Sequence, residues 1–543
     1  MKFDDLLFTH LGEFGKYQGI QFVLVCLPTM FTAMHSLSWT FTAPDINHRC
    51  RLPSELDNAN YFTNNNISKL IPYDDSCDSI NDSKNCFYKK CTYNNTLSCP
   101  HGYIYYLPNN LYTAINRWDI VCERSIWKAT IQSSYYIGQM LGSIIFGILG
   151  DQIGRKKVFM IAIVLQIVAG LIMPIAPHWL IYAFLRIITG FAHPGIFVIA
   201  VIIGMELVGP SKRKISSVFT GGFFALGQVV LGILAYYLRD YRYLQASIAL
   251  PTIVFLSYQF LVPESPRWLT SKKRYSEADK ILRKAAKVNK SSIPEKWWEE
   301  IDLLNGSEEK NNKNLTYSDL FKTPKLRLRS IVAFIIWPVV SMVYYGVSMK
   351  PDFLGGDPYI AFIFGGFMEL PAMVIVYFII DTFGRKPLLG GGYLFCALFM
   401  IISLFLDDLK LHWIFNLILY SLVKGSITIV YASIYTFTPE LFPTVIRNTA
   451  MGLCSTFARI GAILSSYVSM WLVTEFGKLY MIIPFSLCAI IAGILVLFFL
   501  PETVGEPLIE TIEQLENSHD SSRSITEIKR FSEIEELSLN EKK

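Results

Sequence analysis

The chain has 543 residues, of which 52% are hydrophobic and only 17% charged, with a formal net charge of +5. A soluble domain carries about a quarter charged residues, so this composition, with a mean hydropathy of +0.36, excludes an ordinary water-soluble enzyme. The basic residues stand at the ends of apolar blocks, so the positive balance implies no nucleic-acid partner.

The first apolar block covers residues 18–40. About 20 such residues cross a hydrocarbon layer roughly 30 Å thick. No basic segment followed by a short apolar core and a small-residue cleavage site precedes it, so it reads as a membrane helix. A polar loop, 41–128, follows and holds Cys50, Cys77, Cys86, Cys91, Cys99 and Cys122, together with sequons at Asn66, Asn81 and Asn94. Six cysteines in a polar, glycosylation-competent loop point to an oxidising compartment and up to three disulfides, in any of fifteen pairings. Zinc at Cys86 and Cys91 is the weaker reading, because the spacing is irregular, and no metal site is expected.

Five more blocks follow at 130–149, 158–177, 180–203, 216–238 and 244–262. A Lys- and Glu-rich polar segment, 263–329, separates them from six others at 330–349, 359–380, 388–406, 412–437, 447–472 and 479–500. The expected architecture is an all-α membrane protein of twelve transmembrane helices in two pseudo-symmetric bundles, 1–262 and 330–500, with a linker at 263–329 and a flexible tail at 501–543. Arg155, Lys156 and Lys157 follow the second block, Lys212, Arg213 and Lys214 the fourth, and Arg385 and Lys386 the eighth. The positive-inside rule therefore places the even-numbered loops and both termini in the cytoplasm and the cysteine loop outside. Asn289 also stands in a sequon, but on the cytoplasmic side, where glycosylation is not expected.

Each half repeats one motif after its second helix: Gly147–Lys156 reads GILGDQIGRK and Ile379–Lys386 reads IIDTFGRK. A topogenic stop would account for the basic residues, but not for the preceding Asp or for the glycine. Membrane proteins built as two such halves bind their solute between them, near the midplane.

GxLxDxxGRK resembles the signature loop of the major facilitator superfamily, and RIITG at Arg186–Gly190 resembles its fourth-helix motif. PESPRWL at Pro263–Leu269, ELFPTVIRN at Glu440–Asn448, LPET at Leu500–Thr503 and WDIVC at Trp118–Cys122 narrow the match. With the long cysteine loop, residues 1–512 resemble the organic cation, organic anion and carnitine transporters. That resemblance implies a multi-pass plasma-membrane secondary transporter of small organic ions, working by alternating access in the lipid bilayer. It assigns gating roles to Asp151, Arg155, Arg186, Glu206, Arg213, Glu264, Arg267, Asp381, Arg385, Glu440, Arg447 and Glu502. Apart from Arg186, these lie at expected cytoplasmic helix ends, where ion pairs can latch one state.

Ionisable groups deep in a membrane helix are costly and functional by default. Four candidates stand out: His193, Glu369, Lys424 and Arg459. Trp337 and Tyr344 are two turns apart and share a helix face, with Tyr345 adjacent. An aromatic wall of this kind can hold an ammonium group by cation–π attraction. The resemblance places Trp337, Tyr344 and Phe224 in the pocket of cation carriers, with Tyr136 and Gln139 nearby. It matches Glu369 to the acid of the cation and carnitine branches, and Lys424 and Arg459 to bases of the anion and carnitine branches. An acid, a base and rings together suit a zwitterion such as carnitine or a betaine, so the expected solutes are organic cations or such zwitterions. His193 stands where the carnitine branch has a Gln implicated in sodium coupling, so sodium and proton coupling both stay open.

No GxxxxGK[ST] phosphate loop and no nucleophile–base–orienter set stands out, so the chain calls for no cofactor and reads as no enzyme. An organic anion exchanger, or a non-transporting receptor on the same scaffold, is the alternative.

Overall fold

In the computed structural model the described residues are 7–12, 14–53, 55, 59–62, 71, 87–92, 99–108, 111–208, 213–299, 317–406, 413–505, 509 and 511–516, without the side chains of 213–217, 317 and 406. Twelve long helices dominate. The N-terminal six are α1 (Lys16–Thr42), α2 (Ile126–Ile153), α3 (Arg155–Ile175), α4 (Trp179–Leu207), α5 (Arg213–Tyr237) and α6 (Tyr241–Leu261). The C-terminal six are α7 (Pro324–Met349), α8 (Pro358–Phe383), α9 (Arg385–Phe405), α10 (Trp413–Leu441), α11 (Arg447–Phe476) and α12 (Leu479–Phe499).

Among the described residues, eleven helices are long and apolar enough to cross a membrane. The twelfth, α2, has the length but buries Gln132, Ser133, Ser134 and Gln139. Large apolar side chains such as Phe378 and Phe498 stay exposed on the outside of the bundle, as a lipid-facing belt requires.

Glycines set how closely helices approach. A Cβ on Gly138 or Gly142 of α2 would lie 2.1 Å from the Ile187 or Phe191 carbonyl oxygen of α4, and one on Gly190 would lie 1.9 Å from the Tyr135 carbonyl oxygen. The α2–α4 seam is therefore a small-residue contact, the mode by which membrane helices pack without a hydrophobic driving force. Between the halves, α2 meets α11 and α5 meets α8.

The cysteine loop caps one end of the bundle, here termed the loop end; the repeated motif marks the opposite, motif end. In the loop, β1 (His48–Cys50) pairs antiparallel with β2 (Tyr103–Tyr105), with Cys50 opposite Tyr103. Disulfides join Cys50 to Cys99 and Cys91 to Cys122. Cys77, Cys86, Asn66, Asn81 and Asn94 lie outside the described residues. His48 faces the Cys91 and Cys122 sulfurs at 3.6 Å, but those sulfurs are spent in the disulfide and offer a metal no thiolate. The buried guanidinium of Arg49 is held by Glu55 through two 2.8 Å contacts.

At the motif end the helix Tyr275–Asn289 buries Ala278, Leu282, Ala285 and Ala286 in one cluster with Leu11, Tyr17 and Trp268. Its last residue, Asn289, accepts from Tyr17 N at 2.9 Å and donates to Gln18 Oε1 at 2.7 Å. This sequon asparagine ties the linker helix to the start of α1.

Candidate functional site

Halfway along α8, Glu369 is 1% exposed. Its carboxylate pairs with Lys424 Nζ of α10 at 2.8 Å and accepts the Tyr344 hydroxyl of α7 at 3.0 Å. Lys424 also sits 3.6 Å above the Tyr344 ring and donates to Ser348 Oγ at 2.5 Å. A buried ion pair persists only when its remaining valences are satisfied, and three helices of one half satisfy most of these. The last comes from the other half: with its amide turned to suit both partners, Gln228 of α5 donates to Glu369 Oε1 at 2.9 Å and accepts from Gly366 N at 3.1 Å. The acid therefore stands at the seam between the bundles.

Arg459 of α11 is also buried, among the rings of Tyr345, Tyr431 and Tyr435, which feel its charge. No carboxylate is paired with it, and its Nε and Nη1 have no hydrogen-bond partner among the described residues. Tyr431 lies tilted at 4.9 Å from Tyr344, and Tyr435 meets Trp337 edge-on at 4.8 Å. Trp337 donates to Thr438 Oγ1 at 3.0 Å, which fixes the indole.

From the N-terminal half, the Tyr136 ring lies 4.9 Å from that of Tyr345. His193 shares a 2.8 Å hydrogen bond with the Tyr135 hydroxyl and lies 6.2 Å from the Phe224 ring, within the field of Arg459. Gln139 is fully buried, and neither atom of its amide has a partner among the described residues. The ten residues named from the sequence thus fall on α2, α4, α5, α7, α8, α10 and α11. Gln228, Ser348, Tyr431 and Tyr435 escaped the sequence reading. Gln228 alone had a signal, as an amide inside an apolar block; the tyrosines and serine stand out only once α7 and α10 are packed together.

The charged residues of the motif end form two matching clusters. In the first half, Arg155 contacts Asp151 at 2.8 Å and Glu206 at 3.3 Å, while Glu264 accepts from Arg155 N at 2.9 Å and Lys156 N at 3.1 Å. In the second, Arg385 contacts Asp381 at 3.0 Å and Glu440 at 3.1 Å, while Glu502 accepts from Arg385 N and Lys386 N at 3.0 and 3.1 Å. Each glutamate caps the N-terminus of α3 or α9, where free N–H groups and the helix dipole favour an anion. Gly154 and Gly384 make the approach possible: their φ values are +107° and +100°, and a Cβ would lie 2.3 Å from Glu264 Oε2 or 2.6 Å from Glu502 Oε2.

All these pairs join helices of the same half. Arg447 reaches the Phe442 carbonyl at 3.5 Å, Arg267 lies in the short helix Pro266–Ser271, and the side chain of Arg213 is outside the described residues. Arg186 stands apart from both clusters, two turns from the loop end of α4. It is fully buried, donates to the His35 carbonyl at 3.0 Å and contacts Gln132 Oε1.

Comparison with known proteins agrees with this architecture. Residues 68–515 match the family described as Sugar (and other) transporter. The chain is 34% identical over 541 residues to the Organic cation transporter protein of Drosophila melanogaster, covering 95% of each. It is 29% identical to the human Organic cation/carnitine transporter 2, covering 93% of this chain and 92% of that one. Among solved structures, the inward-open xylose transporter XylE from E. coli superposes with a TM-score of 0.61 at 17% identity, covering 91% of this chain and 98% of that one. Two six-helix halves, the paired motif clusters and a charged seam between them accord with these matches: the chain is a membrane transporter of the major facilitator superfamily and belongs to its organic cation, organic anion and carnitine transporter family.

Proposed function

We propose that the chain carries small organic ions bearing a carboxylate across the plasma membrane, with zwitterions such as carnitine or a betaine as the preferred class. The observation that carries the reading is Arg459, a buried guanidinium framed by tyrosines, with two unpartnered nitrogens and no paired carboxylate among the described residues. A guanidinium with donors to spare binds a carboxylate through charge-assisted hydrogen bonds. The electron-rich faces of Tyr344, Tyr345, Tyr431 and Trp337 then suit an ammonium head. The Drosophila and human relatives, named for organic cations and carnitine, support the ammonium end of this assignment.

A second reading, an organic anion carrier, is favoured by one specific contact: Lys424 already neutralises Glu369, so Arg459 supplies the net charge of the site. Uptake of labelled carnitine, a small quaternary amine and an aromatic carboxylate into expressing cells separates the two. Carnitine uptake abolished by Arg459→Gln supports the zwitterion. Uptake of the quaternary amine alone, unaffected by Arg459→Gln, overturns both.

In this reading the loop end faces outward, the termini lie in the cytoplasm, and the halves rock about the central site while the motif clusters hold each half rigid. Glycan removal that shifts the protein's mass, lost on substituting Asn66, Asn81 and Asn94, tests the orientation. The same uptake assay with sodium replaced, or with pH varied, tests for a coupling ion at His193.

A further inference from the structure

Asp45, just past the end of α1, is the meeting point of three groups at the loop end. It accepts from Lys128 Nζ of α2 at 2.5 Å and contacts Lys350 Nζ, which follows the last residue of α7. The Thr474 hydroxyl of α11 lies 3.2 and 3.3 Å from its two oxygens. Lys350 also contacts Asp352 at 3.4 Å. Asp45 and Lys128 belong to the N-terminal half; Lys350, Asp352 and Thr474 belong to the C-terminal half. Two cations and two anions therefore balance across the seam.

The groups are only partly open to solvent, with Asp45 24% and Lys350 15% exposed. Burial pushes the Asp45 carboxyl up, but Lys128 and Lys350 outweigh it and hold it well below the usual carboxylate range. Burial likewise pushes the Lys350 ammonium down, yet Asp45 and Asp352 hold it above its ordinary value.

The contrast with the motif end is informative. There, the ion pairs described above connect helices of one half and cannot resist separation of the halves. At the loop end the pairing runs between halves, and further contacts surround it. Arg239, between α5 and α6, lies 4.1 Å over the Tyr359 ring of α8. Phe41 of α1 stacks on the same ring at 5.0 Å. The Thr130 and Tyr467 hydroxyls lie 3.5 Å apart, and Tyr136 and Ser466 both contact the Met349 sulfur, at 4.0 and 3.9 Å. Met349 directly precedes Lys350, and one residue earlier Ser348 holds Lys424. The Asp45 cluster thus sits above the central site, at the end of the helix that supplies much of it.

We infer that Asp45, anchored by Lys128, is the latch of the loop end, clasping Lys350 and Thr474 of the opposite half so that the route to the central site opens on this side only when Lys350 lets go. Lys128 acts as its counter-charge: it keeps Asp45 aimed across the seam and paired when the halves separate. Asp45 and Lys350 are positioning residues of the transport cycle, for they touch the opposite half and not the solute. Discrete pairings of this kind make an interface bistable. A latch of one ion pair and a hydroxyl shifts such an equilibrium without fixing it, because each pair contributes modestly where water can reach it.

Ser466 reports the state of the latch, since it is fully buried beside Met349. In purified full-length protein bearing Ser466→Cys, a charged thiol reagent should react slowly. Adding Lys350→Gln, which leaves Asp45 paired with Lys128, should speed the reaction about tenfold by shifting the population toward the state open at the loop end. Lys350→Arg keeps the charge and should restore slow labelling. Asp45→Asn, which removes the negative charge itself, provides a second route to the fast rate.

Folded Lys350→Gln protein that labels no faster than its parent would overturn the latch. So would Lys350→Arg labelling as fast as Lys350→Gln, since that would assign the effect to packing and not to charge. The readout needs neither a solute nor a known orientation, so its failure is distinguishable from failure of the proposed function.

Discussion

Glu369 and Lys424 form a 2.8 Å ion pair in which both side chains are almost completely buried. The acid is therefore not a free counter-charge waiting for a cationic solute; it holds a neighbouring helix's ammonium inside the membrane. Removing one partner of such a pair costs about 3–5 kcal/mol, because the other is left as an uncompensated charge. Glu369→Gln should lower the amount of folded protein at the cell surface. Glu369→Gln combined with Lys424→Gln should restore surface protein while leaving ammonium-bearing solutes poorly transported. Surface labelling alongside uptake distinguishes the two effects; a single variant with normal surface amount and normal uptake would contradict the pairing.

Arg459 presents unpartnered donors to the site. A charge-assisted hydrogen bond contributes about 1.5–3 kcal/mol, so Arg459→Gln should weaken a carboxylate-bearing solute by about ten- to a hundredfold. Arg459→Lys retains a charge but loses the planar fork, and should recover only part of that affinity. Concentration dependence of uptake gives both numbers. An unchanged apparent affinity for carnitine in Arg459→Gln would remove the carboxylate from this position.

Gly154 and Gly384 occupy backbone conformations that L side chains rarely adopt, and each lies against a capping carboxylate. Alanine at either position combines about 1–3 kcal/mol of backbone strain with displacement of Glu264 or Glu502 from its helix terminus. Both variants should unfold at lower temperature and transport more slowly, with solute affinity little changed, because the motif end is remote from Arg459. Glu264→Gln should have a milder effect, since a neutral amide still accepts hydrogen bonds but does not complement the helix dipole.

Strand β1 of the loop end supplies a pH response. Burial pushes the His48 imidazole from its ordinary 6.5 down to about 4, with the Ile46 carbonyl partly opposing. The folded loop therefore binds a proton less readily than the unfolded chain. Loop stability should be constant at neutral pH and above, fall as pH drops through the ordinary value, and level off below about 4. Protease resistance of the loop against pH measures this, and His48→Asn should flatten the profile. A wild-type profile already flat between those limits would show that His48 is accessible to water.

Much of this protein was legible in the chain because the governing physics is local. Twelve apolar blocks and a repeated Asp–Gly–Arg motif report the lipid environment and the two-fold repeat residue by residue, and Glu369, Lys424 and Arg459 announced themselves as charges where charge is costly. Their partners were not legible. That Lys424 takes Glu369, that Arg459 is left without a carboxylate, and that Asp45 reaches Lys350 depend on which helices lie side by side and at what depth. Hydropathy fixes that a segment enters the membrane; only close packing at glycines such as Gly138, Gly142 and Gly461 brings particular charges within a few ångströms of one another.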